Sequence, residues 1–306
     1  MIKRTLYFGN PAYLSLKYDQ LVINKPDDGD LPEVEAAPAR TIPIEDIGVV
    51  LLDNKQITIT SALMAALLAS NAAIITCDEK CMPIGLFLPL SGNTLQSERF
   101  RDQLDASLPL RKQLWQQTVE VKIRNQAAVL EYVMKEPARN MIVWSNSVKS
   151  GDSENMEARA AAYYWKNIFP DLDFFVRDRT GAAPNNLLNY GYAILRAVVA
   201  RALVAAGLLP TFGIHHHSRY NAYCLADDVM EPYRPYVDRL VVDIMSETGQ
   251  CPSLNRDIKA RLLSIPVLDV SIDGHRSPLM IAASTTAASL CKCFSGESRK
   301  VLYPEI

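Results

Sequence analysis

The sequence predicts an α+β protein of two domains: a β-rich N-terminal domain over residues 1–90, a linker over 91–97, and an all-α domain over 98–306. The chain has 306 residues, of which 49% are hydrophobic, and this is enough for one large or two ordinary domains. Short runs rich in β-branched and aromatic residues, separated by Gly, Pro, Asn and Asp, fill the first part. Beyond LSGNTLQSE the apolar residues recur with a helical period.

The N-terminal domain is predicted from strand-like runs and one helix. TLYF, AYLSLKYDQLVI, RTIPIEDIGVVLLD and QITIT predict strands, with a hairpin turn at Asp19-Gln20. SALMAALLASN predicts a helix whose N-cap is Thr60 or Ser61, and AAIITCD and PIGLFLPL predict two further strands. We interpret the acidic, proline-rich KPDDGDLPEVEAAP as an exposed loop between strands.

The all-α domain is predicted from amphipathic segments. QSERFRDQLDAS and LRKQLWQQTVEVKIRNQAAVLEYV predict the first two helices, and we interpret NMIVWSNSVKSGDS as a polar loop. SENMEARAAAYYWKNIF predicts a helix that the following proline ends, and LLNYGYAILRAVVARALVAAG predicts one that begins after Pro184 and ends at Gly207. The helical segment 225–248 is expected to bend or restart at Pro232 and Pro235.

Composition excludes several classes of protein. The formal charge of -2 excludes the bulk basic field of many nucleic-acid-binding proteins, so contact with a polyanion would need a local patch. The N-terminus lacks the apolar core of a signal peptide, and the longest apolar run, AVVARALVAAGLL, is interrupted by Arg201. We therefore expect a soluble, cytoplasmic protein with no membrane partner. Motifs of P-loop, dinucleotide-binding, zincin and zinc-deaminase proteins are absent from the sequence.

The stretch GIHHHSRYNAYCLADDVMEPYRP, residues 213–235, combines three of the four histidines with the carboxylates of Asp227, Asp228 and Glu231. Mg²⁺ and Mn²⁺ prefer oxygen ligands, and Mn²⁺ also accepts an imidazole. On a helix Asp228 and Glu231 share a face, so a histidine and one further carboxylate would complete an open metal site. The alternative is a solvent-facing acidic helix behind a surface loop.

A candidate for the further carboxylate is Glu157, which lies among alanines in SENMEARAAAYYW. It follows a candidate N-cap, Asp152 or Ser153, and its small neighbours leave space beside the helix for a ligand or another backbone. The alternative is an ordinary exposed glutamate in a first or second helical turn.

A basic, aromatic segment lies between Glu157 and the carboxylates of the histidine stretch. Guanidinium groups, amides and phenols hold phosphates and stack on bases. The segment carries Arg177, Arg179, Arg196, Arg201, Arg219, Asn185, Asn186, Asn189, Tyr190, Tyr192, Tyr220 and Tyr223. Such a segment next to an acid and histidine cluster indicates metal-assisted phosphoryl transfer on nucleic acid. The alternative is that some arginines extend from a core helix and the tyrosines pack inside.

Two long motifs, NLLNYGYAILRA and GIHHHSRYNAYCLADDVMEPYRP, resemble the CRISPR-associated endonuclease/integrase family of spacer acquisition, in its type II branch. PAYLSLKYDQLVI, IEDIGVVLLDN and KIRNQAAVL match the same family, so the resemblance covers most of the chain. It implies a sandwich-like N-terminal domain used for dimerisation and a helical catalytic domain.

The resemblance also implies the residues of a catalytic Mg²⁺ or Mn²⁺ site. Its ligands would be Glu157 in NMEARAA, His216 in GIHH and Glu231 in DVME. Asp228, at the front of the last turn, is implied as an auxiliary carboxylate. His215 and His217 are lesser candidates that would face DNA.

The activity implied is the insertion of short foreign DNA fragments into a CRISPR array, by attack of a 3′-hydroxyl on a repeat phosphodiester, in antiviral defence. The implied partners are double-stranded DNA (prespacer and repeat), a second copy of the chain, a small ferredoxin-like adaptation subunit and, in type II systems, the effector nuclease and a ring-shaped subunit. DNA contacts are expected from Arg177, Arg179, Arg219 and Tyr220. Two alternatives stay open: a non-catalytic DNA-binding subunit of the adaptation complex, and a metal-dependent hydrolase of small phosphoesters.

Overall fold

A computed structural model describes residues 3–24, 40–172, 175–178, 180–248 and 252–306. The chain divides into two compact units, Met1–Gly92 and Asn93–Ile306, with the division inside the segment 91–97 that we assigned as a linker. The predicted order, a strand-rich N-terminal region followed by a helical C-terminal region, is confirmed. The predicted loop KPDDGDLPEVEAAP lies outside the described residues.

The described part of the N-terminal unit contains two mixed four-stranded sheets and a helix. Its elements are β1 (Arg4–Phe8), β2 (Ala12–Lys17), β3 (Gln20–Asn24), β4 (Arg40–Pro43), β5 (Ile47–Leu52), β6 (Ile57–Ile59), α1 (Ser61–Ala69), β7 (Ala73–Cys77) and β8 (Pro83–Phe87). One sheet has the order β1-β5-β7-β8 and the other β4-β3-β2-β6. Leu14, Ile47 and Leu63 belong to one apolar cluster that draws on both sheets and on α1, as expected of a sandwich-like domain.

Two local features of this unit differ from the sequence prediction. The β2–β3 hairpin turns at Tyr18-Asp19, whose φ values of 49° and 54° are the left-handed values that a type I′ turn requires. The prediction of Asp19-Gln20 is wrong by one position because Gln20 already pairs with Lys17 in the ladder. The run RTIPIEDIGVVLLD is also two strands, β4 and β5, separated by a 3-10 turn at Ile44–Asp46 and placed in different sheets.

The C-terminal unit is helical, with one addition that the sequence reasoning did not predict. Its helices are α2 (Gln96–Asp105), α3 (Leu108–Met134), α4 (Arg139–Asn146), α5 (Met156–Asn167), α6 (Asn185–Ala205), α7 (Cys224–Met230), α8 (Arg234–Thr248), α9 (Arg256–Leu262) and α10 (Leu279–Phe294). The addition is an antiparallel hairpin of β9 (Asp269–Ile272) and β10 (His275–Pro278).

Helix α3 lies at the centre of this unit and contacts α4, α5, α7 and α8. Ser107 caps its start, where the Ser107 hydroxyl accepts a hydrogen bond from the backbone N–H of Leu110 at 3.3 Å. The buried face of α3 carries polar residues as well as apolar ones. Asn125, for example, donates to the carbonyl oxygens of Pro232 at 2.8 Å and Pro304 at 2.9 Å.

The prediction of a polar loop at NMIVWSNSVKSGDS is wrong, because its first part forms α4. Met141 and Ser145 are buried and lie four residues apart, which places them on one face of a helix. The Ser145 hydroxyl also donates to the Glu120 carbonyl of α3 at 3.2 Å. One apolar and one small polar residue therefore suffice to attach this short helix, and they give only a weak periodic signal.

The two other helix boundaries that matter for the site agree with the prediction. Helix α6 begins directly after Pro184 and is followed by Gly207 at a φ of 77°. A 3-10 turn at Glu231–Tyr233 separates α7 from α8, as expected from the prolines. Among the described helices, α6 is the one long and apolar enough to cross a membrane by length and composition, and 83% of its most apolar window is buried inside the protein.

Candidate metal centre

Glu157 is placed by the capped start of α5. The carboxylate of Asp152 accepts hydrogen bonds from the backbone N–H groups of Met156 at 2.8 Å and Glu157 at 3.0 Å. These bonds satisfy donors that a helix start leaves unpaired and fix the first turn. The Glu157 side chain is 24% exposed, so it is neither an open surface group nor a core group.

The histidine loop is folded around Asp228, which is completely buried. One oxygen of its carboxylate, Oδ2, accepts hydrogen bonds from the backbone N–H groups of His215 at 2.8 Å and His216 at 3.3 Å. The other oxygen, Oδ1, contacts Nδ1 of the His216 ring. Gly213 has no room for a side chain, because a Cβ would clash with the His216 carbonyl and lie 2.7 Å from Asp228 Oδ2. The glycine of the Gly-x-x-His pattern is therefore a steric requirement of this loop.

Glu231 begins the 3-10 turn that follows α7 and is 5% exposed. Its Oε1 contacts the guanidinium of Arg234 at 3.1 Å. Burial raises the pKa of Glu231, but the charges of Arg234 and Lys122 outweigh burial and hold the pKa below its ordinary value. Glu231 is therefore ionised. Because Asp227 and Asp228 are buried as well, the alternative of a solvent-facing acidic helix is wrong.

Lys122 of α3 joins the two glutamates. Its Nζ lies 2.6 Å from Oε1 of Glu157 and 2.7 Å from Oε2 of Glu231. Burial lowers the pKa of Lys122, but the charges of Glu231 and Glu157 prevail, so the pKa is raised above its ordinary value. A charged ammonium group therefore stands between two glutamate carboxylates that are distant in sequence.

His216 lies within electrostatic reach of both glutamates. Its hydrogen bond with Asp228 raises its pKa, burial lowers it, and the charges of Asp228, Glu231 and Glu157 raise it further, so the net pKa is above the ordinary value. Because Asp228 engages Nδ1, Nε2 is the ring nitrogen left to bind a ligand.

Trp115 of α3 packs against the rings of two residues of the histidine loop, His215 and His216. Its ring stacks on His215 with a centroid distance of 4.3 Å and an interplanar angle of 5°, and it meets the edge of His216 at 5.5 Å. Trp115 and Lys122 are seven residues apart on α3, about two helical turns, and so share a face. One face of α3 thus positions both the histidines and the glutamates.

The donor set fits a divalent metal ion. A cation, the ammonium of Lys122, already stands between the two carboxylates. Oε2 of Glu231 is buried, and its contact in the described part of the chain is the Lys122 ammonium at 2.7 Å. A ligand that replaced the ammonium would therefore find the lone pairs of this oxygen open to it. Within the described ranges, no three His, Cys, Asp or Glu side chains already surround one point, since Lys122 stands between the glutamates.

The residues expected to contact DNA have different surroundings. Arg177 donates to the amide oxygens of Asn185 at 3.0 Å and Asn189 at 2.6 Å, so its guanidinium is engaged inside the protein. Arg219 and Tyr220, by contrast, are exposed on the loop after the histidines, and the guanidinium lies 4.6 Å from the ring centroid. Arg179 lies outside the described residues.

Sequence reasoning missed a buried polar network behind Glu231. Asp238 accepts hydrogen bonds from Tyr164 at 2.9 Å and from Tyr192, and Arg234 lies 4.9 Å over the Tyr192 ring. Sequence reasoning also missed Lys122 and Trp115. A charged or large aromatic side chain on the buried face of a long helix is the signal that could have found Lys122 and Trp115.

Comparison with known proteins identifies the family. The model of a family described as CRISPR associated protein Cas1 matches residues 6–251. The chain belongs to this Cas1 family. This membership confirms the family that the two long motifs indicated. A CRISPR-associated endonuclease Cas1 of Neisseria meningitidis serogroup C (strain 8013) is 35% identical over 308 residues, which cover 100% of this Cas1-family chain and 97% of that protein.

Solved structures share the fold of this Cas1-family chain. A casposase bound to integration product superposes with a TM-score of 0.78 at 21% identity, covering 98% of this chain and 92% of that one. A Cas6-RT-Cas1–Cas2 complex contains a chain with a TM-score of 0.73 at 20% identity, covering 97% of this chain and 35% of that one. Both confirm the order of a strand-rich unit and a helical unit.

Proposed function

We propose that this protein is a metal-dependent DNA endonuclease and integrase that inserts short DNA fragments into a CRISPR array. The observation that carries the proposal is that one lysine ammonium, Nζ of Lys122, contacts carboxylate oxygens of both Glu157 and Glu231, and that the charges of both glutamates act on His216. Family membership and the likeness to a casposase bound to integration product support the same activity.

In the proposed mechanism, Glu157, Glu231 and Nε2 of His216 would hold Mg²⁺ or Mn²⁺. When bound, such an ion would polarise the phosphodiester and stabilise the charge that develops as a 3′-hydroxyl attacks phosphorus in line, the bond to the 3′-oxygen of the attacked strand breaks, and that oxygen leaves as a hydroxyl group. Asp228 fixes the His216 ring through Nδ1, so that Nε2 faces the ligand. Arg234 fixes the Glu231 carboxylate through Oε1.

DNA is held at the opening of this site by Arg219 and Tyr220 in our proposal. Both are exposed on the loop that carries the histidines, and Tyr220 is 83% exposed. A guanidinium binds phosphate and a phenol ring stacks on a base, so this pair suits a nucleic-acid strand. Arg177, which the sequence also suggested, would contact DNA only by leaving its amide partners.

The proposed assembly includes double-stranded prespacer and repeat DNA, a second copy of the chain joined through the N-terminal unit, and a small ferredoxin-like adaptation subunit. The neighbour from a Cas6-RT-Cas1–Cas2 complex supports a heteromeric assembly. In the type II branch, the effector nuclease and a ring-shaped subunit would join as well. We place the reaction in the cytoplasm.

A strand-transfer assay tests the proposal. Purified protein, its small partner, a prespacer, Mn²⁺ or Mg²⁺ and a supercoiled array plasmid are combined, and joined DNA is measured. Glu157→Gln, His216→Ala and Glu231→Gln should each lower transfer by more than about a hundredfold, since each removes a metal ligand. DNA binding should persist.

Glu154→Gln is the matched control, because Glu154 is a nearby acid whose partner is the exposed Lys149. It should transfer as the wild type does. If transfer survives both Glu157→Gln and His216→Ala, the protein is the non-catalytic DNA-binding subunit instead. Hydrolysis of an aryl phosphate, without action on branched DNA, would support a small-phosphoester hydrolase.

A further inference from the structure

Lys122 contacts the two oxygens that are best placed to bind a metal ion. Its ammonium nitrogen lies 2.6 Å from Glu157 Oε1 and 2.7 Å from Glu231 Oε2. A divalent ion binds carboxylate oxygens at about 2.0–2.2 Å. The ammonium and the ion would therefore need the same space between the same two oxygens.

The surroundings of Lys122 hold its ammonium inside the acidic site of the metal-free protein. Its side chain is 11% exposed, so the ammonium has exchanged water for the two carboxylates. Arg234 contacts the other oxygen of Glu231, Oε1, and can stay in place when the Oε2 partner changes. The lysine is thus the one of these two cations that a metal ion must move.

We propose that Lys122 is an internal counter-ion that holds Glu157 and Glu231 together in the metal-free protein and is displaced when the divalent ion binds. The inference rests on the proposed metal site and adds a residue that controls its affinity. Without the ammonium, the buried carboxylate of Glu231 and the partly buried carboxylate of Glu157 would repel each other. With it, the site stays assembled, and metal binding must break two charge-assisted contacts.

The test compares Mn²⁺ affinity by isothermal titration calorimetry in the wild type and in Lys122→Met. The variant should bind Mn²⁺ about ten- to a hundredfold more tightly, because the contact that the ion must break is gone. Its metal-free form should unfold at a lower temperature, and Mn²⁺ should restore more of that loss than it adds to the wild type. Lys149→Met, which removes a lysine paired with an exposed glutamate, is the matched control and should change neither quantity.

Unchanged or weaker Mn²⁺ binding by Lys122→Met would overturn the inference. Glu231→Gln separates this failure from failure of the proposed function. If wild-type binding depends on Glu231 but Lys122→Met does not strengthen it, only the role of Lys122 is wrong. If the wild type shows no Glu231-dependent Mn²⁺ binding, the proposed metal site and the role of Lys122 both fail.

A second measurement uses the wild type alone and so decides the question even if Lys122→Met does not fold. Amines are labelled by reductive methylation with and without Mn²⁺, and the labelled peptides are quantified by mass spectrometry. Lys122 should react slowly without metal and several-fold faster with it, whereas Lys149 should not change. A constant or slower reaction of Lys122 in Mn²⁺ would show that the ion does not displace it.

Discussion

Asp228→Asn is the substitution that most sharply tests how the histidine loop is oriented. Two backbone N–H groups and the His216 ring nitrogen Nδ1 converge on the two oxygens of the buried carboxylate. Asparagine keeps the shape but has only one oxygen, and its NH₂ group can only donate. Whichever way the amide is turned, a donor meets either the backbone N–H groups or the protonated Nδ1.

The expected magnitude follows from these contacts. If the amide oxygen keeps the backbone N–H groups, the NH₂ group faces Nδ1, and His216 must move its proton to Nε2, the nitrogen that would bind the metal. Loss of such a supporting carboxylate lowers metal affinity by about ten- to a hundredfold, or about 1.4–2.7 kcal/mol. The buried hydrogen bonds to charge that are lost cost about 1.5–3 kcal/mol of folding stability each.

The assay is Mn²⁺ titration calorimetry combined with urea unfolding. Asp227→Asn is the control, since this neighbouring buried acid binds Arg196 at 2.7 Å and 3.1 Å rather than the histidine. The control should lose stability but keep its Mn²⁺ affinity. Mn²⁺ binding by Asp228→Asn at wild-type strength would refute the assigned role of Asp228.

Three further predictions concern the loop, the buried network and the DNA surface. Gly213→Ala should cost about 1–3 kcal/mol in urea unfolding and weaken Mn²⁺ binding, because the new methyl group would lie 2.7 Å from Asp228 Oδ2; a stable variant with normal affinity would contradict this. Burial raises the pKa of Asp238 to about 6 from 3.8, against the hydrogen bonds from Tyr192 and Tyr164 that lower it. Since the folded state holds this proton more tightly, the wild-type free energy of unfolding should fall relative to that of Asp238→Asn by about 2.4 kcal/mol between pH 4 and pH 7; a constant difference across that range would be inconsistent with the raised pKa. Arg219→Ala should weaken DNA binding and reduce the slope of log K for DNA binding against log salt concentration by about 1, with the free energy of unfolding unchanged. An unaltered slope would show that Arg219 does not contact a DNA phosphate.

The elements that could be predicted from the sequence are those with a long apolar pattern or with a proline or glycine at each end. Helix α6 carries apolar residues over six turns' worth of sequence between Pro184 and Gly207, so its type and both ends could be predicted. Helix α4 is short and buries only one apolar and one polar side chain, Met141 and Ser145. Its sequence pattern therefore resembles that of a loop. The β9–β10 hairpin did have a signal, the Asp273-Gly274 turn, which the helical pattern around it obscured.

For the candidate site, sequence reasoning named the proposed metal ligands but not the groups that position them. The resemblance to a known family implied Glu157, His216 and Glu231, whereas residue types and spacing alone left the histidine and the further carboxylate open. Lys122 could have been noticed as a charged group on the buried face of α3, but its role could not be predicted, since the role depends on the rotation of α3 and on how α5 and the turn after α7 pack against it. The hydrogen bonds of Arg177 to Asn185 and Asn189 could not be predicted either, because they depend on how the chain turns between Arg177 and α6.

Anomalous diffraction from crystals soaked in Mn²⁺ measures the central feature directly. We expect one peak at the manganese edge, about 2.0–2.3 Å from carboxylate oxygens of Glu157 and Glu231 and from Nε2 of His216. Lys122 should then have left its position between the two glutamates. A peak elsewhere, or no peak with the lysine still bridging both carboxylates, would contradict a metal-dependent reaction at this site.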